Sequence, residues 1–113
     1  MLAISDGCCL RMDWYRNGRK KQGSFIIQAE KVNGNCHYVI EVGEYEAGIW
    51  MCGDSWWWGE LSDKGQCEGW YHASTDSKPN IHVQDDSLQW KNSKGSDLDL
   101  KFNCVDVSLS MNM

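Results

Sequence analysis

The chain has 113 residues and a formal net charge of −5, with 6 cysteines and 7 tryptophans against 2 phenylalanines. That length fits one domain with one core, and the expectation is a single β-domain over residues 1–113 with its body at about 8–109. The acidic balance argues against a protein that grips nucleic-acid phosphates, which needs clustered Lys and Arg, and no run approaches the roughly 18 apolar residues of a membrane span.

Apolar residues recur with period 2 along the chain, and period 3.6 is sustained nowhere. The opening Met1-Leu2-Ala3-Ile4-Ser5-Asp6-Gly7 is too short and too polar for a signal peptide. Cys8 and Cys9 follow directly. Neighbouring α-carbons sit about 3.8 Å apart, whereas ordinary disulfides need about 4.4–6.8 Å, so the two are expected to take different partners. Cys104 is the preferred partner for one of them, tying the two ends of the chain together. Leu10, Met12 and Trp14 then alternate with Arg11, Asp13 and Tyr15. The run Arg16-Asn17-Gly18-Arg19-Lys20-Lys21 encloses an Asn-Gly pair and reads as a solvated turn in preference to a heparin-like or phosphate patch.

Phe25 and Ile27 stand against Ser24 and Gln28, ahead of Val32-Asn33-Gly34-Asn35. Asn-Gly favours a type I′ turn, since both residues accept positive φ. Cys36, Tyr38, Ile40 and Val42 alternate on its far side, so residues 24–42 are predicted to form a β-hairpin. Further strands are expected at 48–52, 55–61, 69–73, 80–84, 87–91, 97–102 and 104–109, separated by Gly-, Asp- and Asn-rich turns. The fold class is therefore all-β: a small antiparallel β-sandwich or barrel of about eight to ten short strands.

The cysteines, Cys8, Cys9, Cys36, Cys52, Cys67 and Cys104, are spread across the chain with no Cys-x2-Cys pair, which suits three disulfides and not zinc. The compartment expected is secreted and extracellular, with the chain in its mature form. Gly23-Ser24-Phe25, Asn33-Gly34, His37-Tyr38, Ile49-Trp50, the Trp56–Trp58 run and Trp90 together resemble a module common in secreted proteins of marine invertebrates, with a Gly-x-aromatic start, an Asn-Gly hairpin and closing tryptophans. The resemblance implies an extracellular β-domain and assigns no activity. The doubled Cys8-Cys9 and the tripled Trp depart from its pattern.

No catalytic arrangement stands out. Acids are numerous but scattered, where a glycosidase needs two across one cleft. His37, His72 and His82 occupy polar positions of strand-like alternation and read as surface imidazoles. No Gly-x-Ser-x-Gly elbow occurs, and disulfides would leave no thiol nucleophile. Asp85-Asp86 and Asp97-x-Asp99 could offer oxygens to calcium but read as charged turn and edge residues. The expectation is no enzyme, no metal and no cofactor.

Recognition by aromatic rings is the better reading. In a strand, Trp56 and Trp58 share one face and Trp57 takes the other. A domain of this size has little room to bury all three, so at least one ring is expected near the surface. With Asp54, Ser55 and Glu60 beside them, Trp56, Trp57 and Trp58 form the candidate ligand-binding set. Trp14, Trp50 and Trp90 read as core. The function expected is a secreted, lectin-like binding module that recognises carbohydrate through exposed tryptophans. A matrix, adhesion or structural module meeting an extracellular protein partner is the second reading, and a venom or defence protein the third.

Overall fold

The period-2 alternation is realised as a meander of nine antiparallel strands. A computed structural model describes residues 7–42, 45–75, 78 and 81–105. Its strands are β1 (Arg11–Arg16), β2 (Arg19–Ile27), β3 (Tyr38–Val42), β4 (Tyr45–Cys52), β5 (Ser55–Glu60), β6 (Tyr71–Ser74), β7 (Trp90–Asn92), β8 (Asp97–Leu98) and β9 (Leu100–Cys104). They lie in one sheet in the order β8-β7-β6-β5-β4-β3-β2-β1-β9. Among the described residues the one helical element is a 3-10 turn, Leu61–Asp63.

The sheet nearly closes on itself because one run of chain serves both edges. Asp97 and Leu98 pair with β7, and after a break at Asp99 the next residues, Leu100–Cys104, pair with β1. Closure leaves few unpaired edge groups, which in an open sheet would invite association.

Two Asn-Gly pairs make the tight turns their chemistry requires. Asn17 and Gly18 have φ of 54° and 78°, and Asn33 and Gly34 have 52° and 80°, the left-handed pair of a type I′ turn. The basic run at 16–21 is thus a hairpin turn between β1 and β2, as read from its sequence. The 24–42 hairpin also forms, with Ile26 opposite Val39 and Ile27 opposite Tyr38. Its ladder stops there, and the Asn33-Gly34 turn sits at the tip of the connection, closed by a separate Val32–Asn35 bridge.

Inward residues of all the longer strands meet in one core. Met12, Phe25, Tyr38, Ile40, Ile49, Met51, Trp56, Trp58, Ala73, Trp90, Leu100 and Phe102 are buried there. Cross-strand register brings the bulky ones together: Trp58 lies opposite Ile49, Trp56 opposite Met51 and Trp90 opposite Ala73. Phe25 meets Trp58 edge-on with ring centres 5.0 Å apart, a geometry favoured by the ring quadrupoles.

Trp50 is buried on the other side of the sheet. It pairs with Trp57 and so points outward, yet it is fully covered, because residues 61–70 fold back over it. Its indole N–H donates to the Gln66 carbonyl at 2.7 Å. The Cys52–Cys67 disulfide pins this flap to the end of β4. The other bridges are Cys8–Cys36 and Cys9–Cys104. The adjacent cysteines take different partners, and Cys9 ties the two ends of the fold through Cys104, as expected.

Four expected strands differ. Residues 81–84 are irregular, and of 87–91 only the end joins β7. Backbone groups there are spent on turns: Leu88 N–H donates to the Asp85 carbonyl, and the Asp85 carboxylate takes the Ser87 N–H at 2.8 Å. The alternation was real but served a plug, since Val83 and Leu88 are buried against the core. The strand expected at 97–102 is split at Asp99 into β8 and β9, β9 runs on to Cys104, and of the strand expected at 104–109 residues 106–109 lie outside the described ones.

Candidate functional site

Position along its strand decides which of the barrel's two ends an inward side chain lies near. At the end where β3 begins, Tyr38, Trp56 and Val83 floor a cavity of about 430 Å³. Lys31, Asn35, His82 and Gln84 give it a polar rim beside the Cys8–Cys36 bridge. Burial pushes the Tyr38 hydroxyl up to about 12, against the pull of its hydrogen bond to the Cys9 backbone.

The opposite end is aromatic. Trp14, Trp58, Trp70 and Tyr71 line a cleft of about 470 Å³, with Ala47 and Leu100 at its base and Arg16 on its rim. Such a volume suits a small ligand. Each ring is placed by backbone geometry. Trp14 and Arg16 alternate on β1 and share a face. Trp58 meets Trp14 edge-on, with centres 4.9 Å apart and planes at 87°. Tyr71 lies opposite Trp58 across the β5–β6 ladder, 5.2 Å away and again edge-on. Trp70 is set beside them by its own N–H, which donates to the Trp58 carbonyl at 2.8 Å, and it keeps 38% of its surface exposed.

The cleft has two kinds of polar group. The Trp14 indole is satisfied by the Gln22 carbonyl at 3.2 Å. The Trp58 indole N–H is buried out of solvent reach and finds no acceptor among the described residues, a situation that costs about 1–3 kcal/mol. Arg16 adds an exposed guanidinium. Ring faces and a forked cation can together hold an amphipathic ring bearing acceptors.

The candidate set read from sequence spans the length of β5 and is not gathered in one place. Trp56 and Trp58 point inward and are buried. Trp57 points outward, half-buried, stacked on His72 with centres 4.9 Å apart and an interplanar angle of 26°, and donates to the Cys52 carbonyl at 3.3 Å. Ser55 is buried and bonds the Asp54 carboxylate. Asp54 precedes the strand, and its carbonyl accepts from the Thr75 N–H and hydroxyl. Glu60 is exposed at the far end, where it accepts from Ser62 at 3.4 Å. Of the six, Trp58 alone lines the aromatic cleft.

Trp14, Trp70, Tyr71 and Arg16 were not in that set. Trp14-x-Arg16 carried a signal, since period 2 puts ring and guanidinium on one face. The proximity of Trp70 to Trp58 depends on the flap, which no local pattern announces. The histidines differ from their reading as surface groups: His72, stacked on Trp57, and His82 are half-buried. His37 is buried, with Nδ1 3.4 Å from the Glu30 carbonyl, and burial pulls its pKa below the usual value against the pull of that carbonyl. Among the described residues no three His, Cys, Asp or Glu side chains gather as metal ligands, and no helix is long and apolar enough to cross a membrane.

No protein-family model matches the chain, no curated protein matches it, and no solved structure does. The functional reading rests on the site itself.

Proposed function

We propose that this chain is a secreted, lectin-like module that binds carbohydrate in its aromatic cleft. The observation that carries the reading is the convergence of Trp14, Trp58, Trp70 and Tyr71 on one solvent-reached cleft of a disulfide-stapled barrel. A sugar ring has an apolar face of C–H groups, slightly positive, and a rim of hydroxyls. The negative faces of indole and phenol rings complement the first. The polar edge of the cleft, where Arg16 sits, meets the second. Three disulfides in so small a domain support an oxidising compartment.

The test is a glycan array followed by tryptophan-fluorescence titration of the wild type, Trp70→Ala and Trp57→Ala. Saturable binding that Trp70→Ala abolishes and Trp57→Ala retains is the expected result. Loss in Trp57→Ala alone would move the site to the outer face of β5. Absence of any glycan-dependent change would reject the carbohydrate reading in favour of a protein partner.

A further inference from the structure

Resting on the carbohydrate reading of the cleft, we infer that its ligand is an anionic sugar, bearing a carboxylate or sulfate, and that Arg16 and Arg19 hold the acidic group while the aromatic rings hold the sugar face. The observation is a like-charge pair. Arg16 and Arg19 flank the Asn17-Gly18 turn and lie directly opposite each other in the β1–β2 ladder, so their side chains leave the same face. Like charges in opposed positions destabilise a hairpin. Neither guanidinium lies within ion-pairing distance of a carboxylate among the described residues. Lys20, on the other face, is treated differently: Asp13 neutralises it at 3.3 Å and is itself held by the Ser24 hydroxyl at 2.8 Å.

The backbone that carries the pair is also fixed in place. The Asn17 N–H donates to the Asp99 carbonyl at 3.0 Å, tying the turn to the point where the barrel closes. Trp14, two residues before Arg16, lines the same cleft as Arg16. The location runs against the chain's overall sign: five of its 11 basic residues fall within 11–21, whereas the net charge is −5. An anion between the guanidiniums would relieve their repulsion, and Arg is suited to it because its planar fork binds carboxylate or sulfate through two parallel hydrogen bonds. A sugar carrying such a group spans both halves of the site, ring on tryptophan and anion on arginine.

The experiment uses the intact domain and an array showing the same oligosaccharides in neutral, carboxylated and sulfated forms. The strongest anionic hit and its neutral parent are then titrated at low and high salt, with inorganic sulfate as a third probe. The anionic form should bind at least about tenfold more tightly than the neutral one, with the advantage shrinking as salt screens it. Arg16→Gln/Arg19→Gln should bring the ratio of anionic to neutral binding to about one and leave the melting temperature unchanged or higher, since a repulsive pair is gone. Trp70→Ala should lose both forms. Equal binding of neutral and anionic forms would overturn the inference and leave the carbohydrate reading standing. Inorganic sulfate binding as tightly as the glycan, unaffected by Trp70→Ala, would show a bare anion patch and overturn it too. Failure of every glycan would remove both readings together.

Discussion

Gly59 and Gly69 meet backbone to backbone: a β-carbon on Gly59 would lie 2.9 Å from the Gly69 α-carbon, and one on Gly69 would lie 2.7 Å from the Trp58 carbonyl oxygen. That contact lays the 61–70 flap flat on β5. It covers Trp50 from outside and delivers Trp70 to the cleft. Gly69→Ala must lift the flap, because the atoms it meets are backbone and cannot swing aside. Overpacking of this kind costs about 1–3 kcal/mol. Denaturant unfolding should show the loss, with red-shifted tryptophan emission as Trp50 becomes wet. An unchanged midpoint and spectrum would mean the flap does not depend on this contact.

The tryptophans separate by what they touch. Trp58 packs against Trp14, Phe25, Tyr71 and Phe102, so Trp58→Ala should destabilise by about 3–5 kcal/mol. Trp57 makes one stacking contact and one long hydrogen bond, so Trp57→Ala should cost about 1 kcal/mol. Trp70→Ala should change stability by no more than about 1 kcal/mol while removing ligand binding. Urea titration of the three variants checks the order, and equal losses would contradict it.

The disulfides differ in the loops they close. Cys9–Cys104 spans 95 residues and Cys52–Cys67 spans 15. In the chain-entropy account these contribute about 4.7 and about 3 kcal/mol. Paired alanine variants should therefore rank in that order in chemical unfolding. Ellman titration of the denatured, unreduced wild type should find no free thiol.

His37 sets an acid limit. Its folded pKa is pulled below 6.5 by burial, so below that pH the unfolded chain takes up a proton that the folded protein refuses. Stability should fall as pH drops through 6.5 and go on falling until the folded form also protonates. Melting curves from about pH 7.5 to about pH 5.5 should shift downward in the wild type, and less in His37→Gln. Asp13 acts in a separate window. The Ser24 hydroxyl, then Lys20, hold its carboxyl below 3.8, so its contribution is present above that pH and lost beneath it.

The barrel was legible because its signals are local. Alternation fixes which face each of Trp56, Trp57 and Trp58 takes, and Asn-Gly fixes both tight turns, with no need of distant partners. The cleft was not legible in the same way. Trp14 has the alternation of a core residue, and only the end of the barrel, where inward residues run out of neighbours, turns it into a wall. Trp50 shows the converse: its parity points outward, and a flap ten residues further on buries it. His37 looked polar and exposed by alternation, yet the connection carrying Glu30 folds over it.

Strand order also dictates a sequence of events in folding. Seven of the eight pairings join strands consecutive in the chain and can zip from hairpin to hairpin, whereas β1 must await β9, the last strand made. Distant pairings form slowly because their loop entropy is lost before any contact repays it. The circle should therefore close last in refolding, with the aromatic cleft, which draws Trp14 and Leu100 from opposite ends of the chain, completed only at that step. With the Cys9–Cys104 bridge already formed, that search is shortened. The order of assembly then depends on whether oxidation precedes or follows the first hairpins.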